Sequence, residues 1–384
     1  MNPPRRGTPD FVLLFLTISL VGFGLVMVFS SSYSLTYSDD PLMHTKRQAL
    51  FAALGVIAMF VLMNTPYATL KKLFIPYFLI TVALLVAVLI VGEERNGARS
   101  WFGIGPFGGQ PTEFAKFGII LYLSAILTKK GERVREFKKG LLPVLTMVGF
   151  VTLLILLQPD IGSAAILVLV SGLVIMVGGA RFKHLFFLGL AALAAVAVAA
   201  AAELLRNEQS YRIKRFTTFL NPWEDPLGYG YQLIQSLYAL GHGGITGAGF
   251  GRGIQKLHYL PYAHNDFIFA VIGEELGFVG ASLFLLVYLI FLWRALLIAL
   301  RAPDATGMLA GTGIVGLIAI QTVINIGGVI GALPITGVTL PFISYGGSSL
   351  AATLMAMGVL LSISRELSKQ EKIKSESGVH AADM

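Results

Sequence analysis

The sequence predicts an all-α polytopic membrane protein of about ten transmembrane helices, with a large extracytoplasmic loop between helices 7 and 8. Three observations carry that prediction. Of 384 residues, 55% are hydrophobic and only 13% charged, whereas soluble domains carry about 25% charged residues. Mean hydropathy is +0.75. Apolar runs of bilayer-spanning length recur along the chain, separated by charged or Gly/Pro-rich segments. A soluble fold would have no place to bury so much apolar surface.

The spans follow in order. Phe11–Ser30 is an uncharged stretch of 20 residues behind Arg5 and Arg6. That length exceeds a signal-peptide core, and Ser30-Ser31-Ser32 followed by Tyr33 is a poor cleavage site, so a retained helix is expected. The next are Ala49–Met63, Leu73–Gly92, Pro111–Thr128, Leu141–Leu157, Ile161–Gly179 and Leu185–Ala202. After the long loop come Phe267–Leu297, Met308–Ile330 and Gly347–Ser364. The second and fourth are short for a bilayer unless flanking polar residues are included. The eighth, at 31 residues, would reach about 46 Å and must project, tilt, or bend near Gly277 and Gly280. Residues 1–365 read as one membrane domain, and the Lys-, Glu- and Ser-rich tail 366–384 as a disordered cytoplasmic end.

An even span count puts both termini on one side. With that side cytoplasmic, 18 of the 29 basic residues face inward, including the dense run Lys129–Lys139. Six of the others fall in the long loop, where the positive-inside rule is weak. The net charge of +8 therefore reads as topology and contact with membrane lipids rather than nucleic acid binding. Cysteine is absent, which removes thiol nucleophiles and thiolate metal sites. The six histidines lack paired ligand spacing.

The unusual sequence then gathers on the outer face. The loop of residues 203–265 holds an expected amphipathic helix from Gly230 to Leu240, with Leu233, Leu237 and Leu240 on one stripe. The Gly-rich run Gly241–Gly253 suits tight turns or a phosphate-binding nest. The loop Ala332–Ser349 is Pro- and Gly-rich inside a stretch, 305–364, without a charged residue. It reads as a re-entrant segment lining a cavity. No internal repeat is visible.

Ionisable residues beside spans mark the candidate sites. Glu113 and Lys116 share a helix face near Arg99, either as a self-neutralising pair or as a cavity cation for an anionic substrate. Asp160 follows Pro159 as a helix N-cap or a functional carboxylate. Arg212, Lys214 and Arg215 form a solvated face or a diphosphate-binding run. Asp266, beside His264 and Asn265, sits at a helix mouth, where it is a cap or a general base. On a continuous helix Asp266 lies roughly 80° from Glu274 and 180° from Glu275, so the three cannot form one cluster. At least one of Glu274 and Glu275 is expected to pair with a cation or pack at an interface.

The segments RNGARSW, QPTEFAK, QPDIGSA, YRIKRFTTFLNPWEDPLGYGYQLIQSLYALGHGG, LPYAHNDFIFAVIGEELGFVG and PITGVTLPFISYGGSS resemble the SEDS family of shape, elongation, division and sporulation proteins. The resemblance covers nearly the whole chain and lies nearer the FtsW and SpoVE branch than RodA. It implies a ten-helix fold and a peptidoglycan glycosyltransferase that polymerises lipid II at the outer face of the cytoplasmic membrane, paired with a class B penicillin-binding protein. The family's essential aspartate falls on Asp266. Other functional positions fall on Arg99, Glu113, Lys116 and Asp160, with His264 and Ser344 as further substrate-side candidates. Tyr262 and Asn265 depart from the family pattern, which weakens any role for the flanks of Asp266. The leaving diphosphate would be met by Lys116, Arg99, the Arg212–Arg215 run, or a divalent ion such as Mg or Mn. A transporter of lipid-linked precursors and a non-enzymatic scaffold for the penicillin-binding protein are the competing readings.

Overall fold

The computed structural model describes residues 7–34, 40–95, 98–104, 107–191, 194, 198, 219–228 and 230–382. The helices are α1 (Phe11–Ser32), α2 (Met43–Asn64), α3 (Tyr67–Val91), α4 (Pro111–Lys130), α5 (Leu142–Leu156), α6 (Ile161–Val177), α7 (Phe182–Ala191), α8 (Tyr231–Gly243), α9 (Ile268–Leu300), α10 (Ala305–Val329) and α11 (Gly347–Ala382). Seven of the described helical segments are long and apolar enough to cross a bilayer: α1, α2, α3, α5 with its preceding π turn, α9, α10 and the first part of α11. α6 and α7 are shorter apolar helices, and α4 carries Glu113 and Lys116 near its start and Lys129 and Lys130 at its end. Every predicted span thus falls on a helix. The end of the seventh lies outside the described residues.

Residues that face lipid and residues that face protein separate cleanly. Phe15, Ile57, Ile80, Leu283 and Trp293 are exposed on the perimeter, as expected where the surrounding solvent is hydrocarbon. The interior is built around α10, packed by α4, α6, α9 and α11, while α2 lies along α11 and α1 along α9. Glycines let these helices close up. A Cβ on Gly311 would meet the Ala299 Cβ at 2.7 Å, and one on Gly316 would meet Leu173 Cδ2 at 2.2 Å.

Gly7, ahead of α1, and Arg365 of α11 meet at one end of the bundle, the terminal end, where the Gly7 carbonyl accepts a hydrogen bond from Arg365 Nε. This terminal end is pinned by closed polar contacts. Asp10 caps α1 through the Leu13 amide and pairs with Arg294. Asp304 caps α10 and accepts from Lys71 Nζ at 2.6 Å and Tyr67 Oη at 2.7 Å.

The structure corrects or adds detail at four places. The second span is a full 22 residues, because the polar residues 44–48 are helical and Gln48 finds buried partners. The tail past Arg365 continues α11 as helix to Ala382. Its Lys, Glu and Gln residues are good helix formers, and Lys369–Glu366 and Ser368–Thr8 contacts support its first turns. An antiparallel meander, β1 (Glu93–Arg95), β2 (Ala98–Ile104) and β3 (Phe107–Gly109), joins α3 to α4, a small local addition to an all-helical membrane fold. Finally, α8 begins one residue later than predicted and ends at Gly243; of the leucine stripe Leu233 is buried and Leu237 and Leu240 are partly buried, and Ile234, Ser236 and Ala239 are buried with it. Small residues on that face let α8 pack tightly on its neighbours. A Cβ on Gly243 would lie 2.1 Å from the Gly273 carbonyl oxygen, and Ser236 Oγ donates to the Val329 carbonyl at 2.7 Å.

Candidate active site

The end of the bundle opposite the termini holds the unusual sequence. Its centre is the irregular run 332–346 between α10 and α11, in which Val338, Leu340, Phe342, Ile343 and Ser344 are buried. Irregular backbone buried among helices must have its polar groups answered by protein, and side chains do so here. Gln48 of α2 clamps the run from both sides, its Nε2 donating to the Ser344 carbonyl and its Oε1 accepting from the Gly346 amide. Ser344 Oγ accepts from the Leu340 amide at 2.8 Å, so this hydroxyl holds a turn. The Tyr345 amide donates to the His264 carbonyl at 2.9 Å. Asn325 Nδ2 donates to the carbonyls of Asp266 and Val338.

Asp266 sits on the turns that lead into α9, half-buried beside this run. A Cβ built on Gly337 would lie 3.6 Å from Asp266 Oδ2, which places the carboxylate over that glycine, and a small cavity lies between Asp266, Asn325, Thr336 and Gly337. The helix mouth is not capped by a side chain; Phe267 occupies the N-cap position without such a bond. His264 packs its ring 4.7 Å from His44 and 5.4 Å from Tyr345. Burial, then the neighbouring His44, pushes the His264 imidazole down to about 4, so it is neutral at physiological pH.

A polar strip approaches the same run from α4 and α6. Lys116, 1% exposed, is paired with Glu113 at 2.7 Å. Thr112 Oγ1 donates to Gln158 Oε1, and Gln110 Nε2 donates to Asp160 Oδ2 at 3.3 Å. Asp160 also accepts from the Ser163 amide at 2.9 Å, so it is the N-cap of α6. A Cβ on Gly162 would meet the Thr336 carbonyl oxygen at 2.7 Å. The first turn of α6, capped by Asp160, and the turns bearing Asp266 therefore meet the run at neighbouring residues, Gly162 against Thr336 and Asp266 against Gly337. Arg99 lies exposed on β2, with its Cα opposite Glu94. Arg212, Lys214 and Arg215 lie outside the described residues.

Glu274 and Glu275 point apart, as the helical angles require. Glu274 accepts from the Ile254 and Gln255 amides and contacts His242 Nδ1 at 2.9 Å. Glu275 pairs with Lys256 and accepts from Ser30 Oγ of α1. Two residues on, Gly277 breaks α9 with φ 68°, which answers the length problem of the eighth span. The glycine-rich run docks on this break, its Ala248 and Gly249 amides donating to the Glu274 and Glu275 carbonyls. Those two amides serve the packing of the loop rather than a phosphate nest.

Among the described residues no group of three or more His, Asp or Glu is arranged to hold a metal ion. The polar amides Gln48, Gln110, Gln158 and Asn325 and the loop cation Lys256 were not among the sequence candidates, which were ionisable residues beside spans. Gln321 and Asn325, the two amides of the uncharged α10, were the available signal.

The sequence pattern of the cell cycle protein family shared by FtsW, RodA and SpoVE matches residues 11–369. Stage V sporulation protein E of Bacillus subtilis is 48% identical over 366 residues, 94% of this chain and 98% of that protein. The probable peptidoglycan glycosyltransferase FtsW of Trichlorobacter lovleyi is 40% identical over 370 residues, 95% of this chain and 96% of that protein. A solved chain from a peptidoglycan synthase complex superposes with a TM-score of 0.75 at 33% identity, covering 94% of this chain and 98% of that one. The rod shape determining protein RodA of Thermus thermophilus does so with 0.69 at 32% identity, covering 93% and 97%.

Proposed function

We propose, from the premise that the chain belongs to the FtsW, RodA and SpoVE family of cell cycle proteins, that it is a peptidoglycan glycosyltransferase working in a complex with a class B penicillin-binding protein. The family match across residues 11–369 carries this reading. The substrate is lipid II, and the end opposite the termini faces the outside of the cytoplasmic membrane. The polar groups at the terminal end close on each other, Asp10 with Arg294 and Asp304 with Lys71, which gives a transport path no support.

In the reaction, an acceptor hydroxyl oxygen attacks the anomeric carbon of the donor sugar. The bond from that carbon to the polyprenyl diphosphate breaks, and the diphosphate leaves with the electron pair. The hydroxyl proton passes to the Asp266 carboxylate, which is half-buried and so suited to act as general base. A single base favours one inverting displacement. Negative charge developing on the diphosphate calls for cations. Lys116 offers one at the edge of the site, oriented by Glu113, and Arg99 and the Arg212–Arg215 run offer others. His264, being neutral, contributes ring packing and one imidazole rather than charge.

The test is lipid II polymerisation by the purified chain with its penicillin-binding partner, the transpeptidase blocked. Wild type should build glycan strands. Asp266→Ala should build none while remaining folded and complexed. Full activity in Asp266→Ala would end the assignment of the base.

A further inference from the structure

Asn325 occupies the point where the loop carrying Asp266 meets the irregular run 332–346. Its side chain is 5% exposed. Both hydrogens of its Nδ2 are used, one on the Asp266 carbonyl at 2.8 Å and one on the Val338 carbonyl at 2.7 Å. The orientation of the amide follows from these partners, since the reverse placement would set Oδ1 against two carbonyl oxygens. Its own Oδ1 is buried and has no hydrogen-bond partner. An amide at this depth with an idle acceptor is a costly choice for packing alone. What it supplies, and an apolar side chain of the same shape would not, is a bridge between two carbonyls outside regular secondary structure.

That bridge ties Asp266 to one short piece of backbone. Its carbonyl is held within two hydrogen bonds of Val338, and its carboxylate lies over Gly337, the preceding residue. Gly337 has φ +72°, a conformation that a side chain would strain. The His264 carbonyl, bonded by the Tyr345 amide, gives a second backbone stitch nearby. Without Asn325, the residue bearing the carboxylate would keep its place ahead of α9 but lose its register against the run.

We propose that Asn325 is a positioning residue for glycosyl transfer, locking Asp266 against residues 337–338 so that its carboxylate meets the acceptor hydroxyl. This rests on Asp266 being the general base. Asn325 acts through Asp266 and contacts neither sugar nor diphosphate, so its loss lowers kcat and leaves KM for lipid II unchanged.

Asn325→Leu keeps the size and removes both donors; Asn325→Gln keeps the donors on a longer arm. Both are purified as the full chain with the penicillin-binding partner, and lipid II consumption is normalised to the folded fraction from thermal unfolding. Displacing a reacting group by about 1 Å can cost roughly 100-fold. Asn325→Leu should therefore lose about 10- to 100-fold in kcat with KM within about twofold, and Asn325→Gln should recover part of it. Wild-type kcat in folded Asn325→Leu, or a loss confined to KM, overturns the proposal. If Asn325→Leu does not fold, Asn325→Asp replaces it. Its carboxyl regains a donor only when protonated, so its activity relative to wild type should rise as pH falls, and a constant ratio overturns the proposal. Asp266→Ala is run alongside. An inactive Asp266→Ala with an unaffected Asn325→Leu refutes the positioning role alone, whereas an active Asp266→Ala refutes the base assignment and this role with it.

Discussion

Replacing Lys256 by Met strands a buried carboxylate. The Lys256 and Glu275 side chains are 5% and 0% exposed, and among the described residues their only other side-chain partner is Ser30, whose hydroxyl donates to both Glu275 oxygens, at 2.6 and 2.8 Å, and accepts from Lys256 Nζ at 2.8 Å. Methionine keeps most of the apolar stem and removes the charge, leaving Glu275 with one hydroxyl donor. Removing one partner of a buried ion pair costs about 3–5 kcal/mol, while replacing both by apolar residues is often neutral or better. Lys256→Met should therefore be strongly destabilised, by about 3–5 kcal/mol. The double variant Lys256→Met, Glu275→Leu should recover most of that loss. The assay is denaturation of the purified chain in one detergent, with tryptic cleavage at Arg252 reporting release of the loop that Lys256 anchors to α1 and α9. Equal losses in the single and double variants, or none in the single, would refute the stranded-charge reasoning.

Three further outcomes follow from the same geometry. His264 titrates near 4 when folded because burial, and then His44, disfavour its charged form, whereas an unfolded histidine titrates near 6.5. The unfolded chain therefore binds the extra proton first, and stability falls as pH drops from about 6.5 towards 4; in His264→Phe the melting temperature should lose part of that slope, and an unchanged slope would count against the buried neutral imidazole. Gly277→Ala places a side chain at φ 68° with its Cβ 2.2 Å from the Gly247 amide nitrogen. Strain of this kind costs on the order of 1–3 kcal/mol before the clash is counted, so the glycine-rich run should become protease-sensitive, and wild-type resistance would show that α9 can straighten. Lys116→Met should reduce polymerisation by at least about tenfold, the scale of removing one charge-stabilising contact, with Lys116→Arg intermediate; equal activity in all three would remove Lys116 from the diphosphate site.

Membrane class, the positions of the spans and the family were legible in the linear chain because each rests on local composition or contiguous motifs. Twenty apolar residues imply a span wherever they pack, and QPDIGSA or PITGVTLPFISYGGSS reads the same folded or unfolded. The excess length of the eighth span was legible too, but as projection, tilt or a bend near Gly277 or Gly280; the fold decided on a break at Gly277. Only the folded chain decided which partners the polar residues take. Lys256 and Ser30 are 226 positions apart and meet on Glu275 because α1 packs along α9. Asn325 reads as one amide in an apolar helix until the return of the chain after α10 brings the Val338 carbonyl to it, and the loop before α9 brings that of Asp266. Asp160 reads equally as cap or functional carboxylate, and in the fold it caps α6 while a second oxygen accepts from Gln110. Partner choice for a buried polar group is set by whichever distant donor or acceptor the packing of apolar helices delivers, and that information is spread over the whole chain.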